Sequence, residues 1–396
     1  MISIHDLHLI GPFLTDADRE LAERIVAFAR RLPADPEDDA SARQRARELL
    51  ADLGADGWAA RALPATSPGE GGGAVARCLI REALAWASPL ADAVFALQAL
   101  GGHPVALGGS PELRERWLPE LAAGRAMAAF AMTEPGAGSD VAAMATRAER
   151  EGDAWVLTGT KHLISNAGIA DIYAVFAVTA PGAGTRGLSC FLVPADDPHV
   201  VFEEAQVLSA PHPLGRLRFD GCKVAAGNLL GEENRGFHLG MTVLDRLRPT
   251  VAAAACGMAS RALAEARAHA ATRRQFGAPL ADLQLVQARL ADMATELAAA
   301  RLLTYRAAWE ADHDGPAVTL TAAMAKLAAT EGAQRIVDSA VQIVGGLGVL
   351  SHHPVEHLYR AVRSLRIYEG ASDVQRLVIA RRLGEGAGTA ATEVPT

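Results

Sequence analysis

Met127-Ala128-Ala129-Phe130-Ala131-Met132, followed by Thr133-Glu134-Pro135-Gly136-Ala137-Gly138-Ser139-Asp140, is where the chain changes its period. Before it, apolar residues recur at helical spacing. Here they run on as a short extended segment that stops at a turn of glycine, proline and hydroxyl residues. Further strands are expected over 153–159, 172–179, 187–193 and 214–220, with 127–132 as the first, separated by Gly, Asp and Pro turns. A β domain is thereby read between helical ones.

Upstream, Leu21, Ile25, Val26, Phe28 and Ala29 repeat at helical spacing within 16–30, and Pro33 and Pro36 end the pattern. Helices over 41–59, 74–100 and 111–123 follow, the last with Pro111 in its first turn. Downstream, the helical period returns at Gly236 and covers 236–272, 280–312, 317–345, 354–365 and 373–384. It is broken by Gly277-Ala278-Pro279, by Asp314-Gly315-Pro316 and by Gly345-Gly346-Leu347-Gly348. Long helices with short connections predict an antiparallel bundle. The boundaries are 1–124 for an N-terminal helical domain, 125–235 for the β domain and 236–396 for the helical bundle. The glycine run Gly69-Glu70-Gly71-Gly72-Gly73 with Ala74 formally satisfies G-x-G-x-x-A, but Pro64 and Pro68 precede it where a dinucleotide fingerprint needs a buried strand.

Composition excludes several classes. The chain has 396 residues, half of them hydrophobic and only 5% aromatic, so its core is built mainly from Ala, Leu and Val, which favours helix. A net charge of −8 gives no footprint for nucleic acid or an anionic membrane surface. Cys78, Cys190, Cys222 and Cys256 lack CxxC spacing, so neither a zinc site nor a disulfide framework is expected, and a reducing cytoplasm fits. His353 and His357 have i, i+4 spacing, but Pro354 intervenes and no third ligand is near, so no metal is expected. The N-terminus fits no signal peptide, and no run approaches ~20 uncharged apolar residues, so no membrane span is expected.

Four segments could carry chemistry. The turn at 133–140 and the segment Gly159-Thr160-Lys161-His162-Leu163-Ile164-Ser165-Asn166-Ala167 offer backbone N–H groups and hydroxyls, as sites for polar cofactor edges do; an ordinary strand-end turn is the alternative. Arg273-Arg274-Gln275-Phe276-Gly277-Ala278-Pro279-Leu280 ends a long helix with a basic pair and a glycine stop, which helix-end electrostatics alone would explain. Near the C-terminus, Ile367-Tyr368-Glu369-Gly370-Ala371-Ser372 sets a carboxylate at a loop-to-helix junction, where Ser372 can cap the following helix. Alone, such a glutamate is either catalytic or a solvated helix-end charge.

Together these segments resemble the acyl-CoA dehydrogenase flavoprotein family over almost the whole chain. Thr-Glu-Pro-x-x-Gly-Ser-Asp is met at 133–140, Arg-x-x-Phe-Gly at 273–277, Gln-x-x-Gly-Gly at 342–346 and Ile-Tyr-Glu-Gly at 367–370, in order. The family's architecture is mainly α with an inserted β domain: an N-terminal helical domain, a middle β-barrel-like domain and a C-terminal antiparallel four-helix bundle. It coincides with the periodicity.

The resemblance implies FAD, with Phe130, Met132, Thr133, Gly138 and Ser139 lining the ring and pyrophosphate, Leu163 on the flavin face and Ser165 near N5. Arg273, Gln275, Phe276, Gln284, Gln342, Gly345 and Gly346 would reach the FAD of a neighbouring subunit in a homotetramer or dimer, and Ala371 and Asp373 are further cofactor positions. Ser139, Asp245, Arg248, Gly370 and Arg381 match acyl-CoA positions, although Asp245 and Arg248 could equally form an ion pair on a helix surface. Glu369 would be the catalytic base. Dehydrogenating a thioester at Cα–Cβ needs a carboxylate whose pKa is raised by a dry pocket, a hydride acceptor that no side chain can supply, and donors for enolate-like charge. The implied reaction gives a trans-2-enoyl-CoA, with an electron-transfer flavoprotein as acceptor; an oxidase, a carrier-protein dehydrogenase or a non-catalytic binding protein would keep the scaffold. The chain departs from the family at Leu163, where many members have tryptophan, at Ala371, often threonine, and at Ala361, commonly aspartate.

Overall fold

Proline, glycine and side-chain caps set the boundaries of the helices in this computed structural model, which describes residues 4–64, 72–313, 315 and 318–390. Pro68, Gly69, Glu70 and Gly71 of the glycine-rich junction, and Asp314 and Pro316, lie outside the described residues. In chain order the helices are α1 (Asp16–Ala29), α2 (Asp39–Ala55), α3 (Trp58–Ala62), α4 (Ala74–Ala87), α5 (Pro89–Gly108) and α6 (Pro111–Ala122). After the strands come α7 (Gly236–Thr272), α8 (Gln284–Asp312), α9 (Val318–Val344), α10 (Pro354–Leu365) and α11 (Ser372–Ala390). Thr15 and Asp18 close a capping box on α1, and Asp38 and Ser110 cap α2 and α6. The expected helix over 41–59 is two helices, parted at Gly57, whose φ of +77° no side chain adopts cheaply. The expected helix over 74–100 also divides, because Pro89 cannot donate to the preceding turn.

The chain forms two units, one of residues 34–73 and 90–247, the other of 1–33, 74–89 and 248–396. The first contains the sheet: β1 (Ala128–Ala131), β2 (Arg147–Glu151), β3 (Ala154–Ser165), β4 (Ile172–Val178), β5 (Leu188–Pro194), β6 (Val200–Ala205), β7 (Leu214–Ala225) and β8 (Leu229–Leu230). Their order is β6-β7-β3-β2-β4-β5-β8, with β1 parallel to β4. β4 and β5 are buried almost continuously because both faces are covered. Tyr173, Val175, Phe191 and Val193 pack with Trp155, Leu157, Leu217 and Phe219, while Ile172, Ala174, Phe176 and Leu192 pack with Val105, Leu113 and Leu121 of α5 and α6. β2 and β6, absent from the sequence reading, are mostly exposed. α5, which carries Asp92, is long and apolar enough to cross a membrane by length and composition, but 78% of its most apolar 18-residue window is buried inside the molecule.

In the second unit, α1 and α4 join α8 to α11 and the part of α7 beyond Leu247. Buried hydrogen bonds tie three of these helices and the N-terminal segment together. Glu82 of α4 accepts from Arg301 Nε at 2.7 Å and from the Tyr305 hydroxyl at 2.6 Å, both on α8, and Arg301 also donates to the Ile4 carbonyl at 2.6 Å. Arg81 donates to Thr250 of α7 at 3.0 Å. Alanine and glycine let these helices approach closely, and a Cβ on Gly257 of α7 would overlap the Glu82 carbonyl oxygen.

Candidate active site

In the helical unit the catalytic-site candidate is the loop between α10 and α11. Glu369 has φ +51° and Gly370 has φ +91°, so two successive residues are left-handed, at a cost of about 1 kcal/mol or more for the glutamate. Three hydrogen bonds from two side chains fix this turn. Lys326 of α9, fully buried, donates to the Tyr368 carbonyl at 2.7 Å and to the Gly370 carbonyl at 2.6 Å, and Gln375 Nε2 donates to the same Gly370 oxygen at 3.0 Å. Arg366, at the head of the loop, pairs with Glu331 of α9 at 2.8 Å. Burial pushes the Lys326 ammonium down to about 8, against the pull of Glu369 and Glu331 and with the push of Arg248.

Gly370 is required by its own backbone, whose φ of +91° side chains rarely adopt, and a Cβ there would also displace the Gln375 amide. Arg248 of α7 is only 6% exposed, and its Nε lies 4.0 Å from where that Cβ would stand. Asp245, one turn earlier on α7, is half-buried. Arg381 is exposed, and Asp373 is exposed and paired with Arg376 at 2.8 Å. The expected capping role of Ser372 is corrected: α11 starts at Ser372, whose hydroxyl bonds back to the Arg366 carbonyl at 3.4 Å, while the Ala371 carbonyl accepts the first helical bond from Gln375 N. Ala371 is thus the N-cap. Ala361 is buried on the apolar face of α10, where a carboxylate would be desolvated.

The glycine after Phe276 does not simply stop a helix. Arg274–Gln275 and Ala278–Pro279 pair as a two-stranded hairpin, with Phe276 (φ +52°) and Gly277 (φ +83°) as its turn. Arg273, Gln275, Phe276 and Gln284 are exposed, Phe276 at 92%, as are Gln342, Gly345 and Gly346 at the end of α9. None of these seven is placed against Glu369 by any described contact.

In the β unit the turn after β1 is anchored by a buried ion pair. Glu134 accepts from Lys161 Nζ at 2.7 Å and from the Ala145 and Thr146 amides at 2.6 and 3.0 Å, which hold its carboxyl below the usual range although burial alone would raise it. That anchorage leaves Gly136, Gly138, Ser139 and Asp140 exposed, and a Cβ on either glycine would meet nothing. Beside the turn, β3 bulges: Lys161 pairs with Leu217, but Ile164 pairs with Gly215. His162 N donates to the Thr133 carbonyl at 2.9 Å, and Leu163, at φ +54°, is turned out to 49% exposure. Gln206 accepts from Leu163 N at 2.8 Å, and the Ser165 hydroxyl meets His212 Nε2 at 3.2 Å. Burial holds His212 down to about 4, so the ring is neutral. Phe130 is half-buried against Phe176 and Met132 is buried.

An outward apolar side chain, a half-exposed hydroxyl and an open small-residue turn at the joined ends of β3 and β1 fit a flat heterocycle with a polar rim and a phosphate-bearing tail. Lys326 and Gln375 were not among the sequence candidates. Lys326 did leave a signal, because it stands on the face shared by Ala322, Ala329 and Ala333, where a lysine is out of place.

The sequence matches the acyl-CoA dehydrogenase N-terminal domain over residues 15–125, the middle domain over 129–222 and the C-terminal domain over 234–384. It is 38% identical over 373 residues to a probable acyl-CoA dehydrogenase, FadE25, of Mycobacterium leprae, covering 93% of this chain and 96% of that one. The structure resembles butyryl-CoA dehydrogenase from Megasphaera elsdenii with a TM-score of 0.85 at 31% identity, over 93% of this chain and 98% of that one. A chain from a study of the electron transferring flavoprotein of Acidaminococcus fermentans and flavin-based electron bifurcation matches with a TM-score of 0.86 at 32% identity, over 93% and 98%.

Proposed function

The chain belongs to the acyl-CoA dehydrogenase family of FAD-dependent oxidoreductases, and from that premise we propose that Glu369 is the base that removes the α-proton of an acyl-CoA thioester on the way to the trans-2-enoyl-CoA. The observation that carries the assignment is the Glu369 turn, left-handed and held by donors on both flanking carbonyls. A carboxylate whose backbone is fixed this firmly can meet a weakly acidic C–H at a set angle. FAD, when bound, supplies the acceptor for the hydride leaving the β-carbon. Glu369 N–H would donate to the thioester oxygen as enolate-like charge grows there, an interaction typically worth a few kcal/mol of barrier.

Thr133, Ser139, Leu163 and Ser165 would hold the cofactor from the β unit, and Arg248 and Gly370 would border the thioester. Arg273, Gln275 and Phe276 on the hairpin, with the Gln342–Gly346 turn, would complete the cofactor site of another copy in a homotetramer or dimer. Their exposure, with Leu285, Leu347, Val349 and Leu350, supports that reading. We also place an electron-transfer flavoprotein as acceptor and the cytoplasm as location, the four free thiols suiting a reducing compartment.

The test is anaerobic flavin bleaching at ~450 nm, the flavin absorbance band, with straight, branched and cyclic acyl-CoAs, butyryl-CoA first. Glu369→Gln should keep its FAD and lose bleaching by several orders of magnitude. Turnover at the wild-type rate in that variant would remove Glu369 from the role.

A further inference from the structure

We propose that Lys326 is a positioning residue for the reaction: from α9 it clamps the two carbonyls that flank Glu369 and so sets where the Glu369 carboxylate points. The inference rests on the reading of Glu369 as the base.

A fully buried ammonium is a costly core group, and a methionine would fill the same space with no charge to desolvate. What the lysine does in return is visible in its contacts. Its Nζ donates to Tyr368 O at 2.7 Å and to Gly370 O at 2.6 Å, the carbonyls immediately before and after Glu369. Charge-assisted bonds to both ends of one residue leave its peptide planes little freedom, which a left-handed glutamate needs if its strained φ is to persist. Gln375 of α11 adds one neutral bond to the Gly370 carbonyl and none to that of Tyr368. Without Lys326 the first half of the turn would lose its anchor on α9, a 27-residue helix.

The charges bearing on Lys326 are Arg248 from α7, Glu369 from the loop and Glu331 from α9 itself. The donor from α11, Gln375, does not titrate. With its pKa held at about 8, the clamp is cationic at neutral pH, and its bonds weaken as pH rises past that value.

The test uses the full-length FAD-loaded enzyme with Lys326→Met and Lys326→Arg, reading FAD content, acyl-CoA Kd, the rate of flavin bleaching at saturating substrate and the isotope effect of α-deuterated substrate. Lys326→Met should hold FAD and bind acyl-CoA within about threefold, yet bleach about 100-fold more slowly, the loss typical of a reacting group displaced by ~1 Å. Its isotope effect should rise, and Lys326→Arg should recover part of the rate. A Lys326→Met enzyme that bleaches at the wild-type rate, or whose loss is matched by an equal loss of acyl-CoA affinity, overturns the proposal. Should Lys326→Met not retain FAD, the pH profile decides: the wild-type rate should fall as pH rises through about 8, and Lys326→Arg should stay level. A wild-type rate that does not fall, or the same fall in both, overturns it. Wild-type flavin that no acyl-CoA bleaches overturns the dehydrogenation reading itself, and this inference with it.

Discussion

Ala371 occupies the N-cap of α11, the position at which a hydroxyl would accept from an otherwise unsatisfied amide in the first turn. Its methyl group cannot. Ala371→Thr should therefore stabilise the start of α11 by about 1 kcal/mol, measured as a shift of the unfolding midpoint in denaturant; a midpoint that moves down would show that the threonine clashes with the loop. The same residue shows what the sequence can and cannot disclose about the site. Glu369 was legible because Ile367-Tyr368-Glu369-Gly370 is a local pattern with a chemical meaning. The roles of Lys326 and Gln375 were not, because their partners are backbone carbonyls, which carry no side-chain identity; what the sequence did carry was a lysine on the alanine face of α9. Gly370 was legible as a glycine but not for its reason, which is a left-handed φ of +91° beside the Gln375 amide.

Helices were legible as elements because most of them bury one stripe and end at proline, glycine or a cap. The exceptions follow from the same physics. The split at Pro89 falls inside an apolar run whose two halves are both core, so period alone does not mark it. β2, Arg147 to Glu151, has one buried residue in five, and β6 has none fully buried, so neither shows the alternation of a half-buried strand. The α4–α7 crossing makes a sharp prediction. Gly257→Ala puts a methyl group against the Glu82 carbonyl, beside the Glu82–Arg301–Tyr305 network. Overpacking of this kind costs about 1–3 kcal/mol, and the midpoint should fall accordingly while the FAD content of the folded fraction stays intact. An unchanged midpoint would mean that the helices separate there at no cost.

For the whole molecule, pH separates stability from activity. Lys326 and Lys161 are each held at about 8 by burial, below the ordinary 10.5, so above pH 8 the unfolded chain binds more protons than the folded one. From these groups stability rises with pH between about 8 and 10.5. The buried thiols act oppositely: Cys190, Cys222 and Cys256 are raised from 9.0 by burial, so above pH 9 the unfolded chain sheds protons that the folded chain keeps, and stability falls. The thermal midpoint should rise from pH 8 to 9 and then turn over, while flavin bleaching already slows from pH 8. A midpoint that declines throughout pH 8–9 would contradict the lysine assignment.

The division into two units has a further consequence for how the chain is made. The β unit is complete once residue 247 has been synthesised, whereas the helical unit is assembled from residues 1–33, 74–89 and 248–396. α1 and α4, made before the β unit is complete, pack against each other, and α4 also packs against α8, which is made after it. Until then the side of α4 that α8 covers is left open, so the newborn chain is more vulnerable to aggregation before α8 arrives, and α4 is a segment that needs protection.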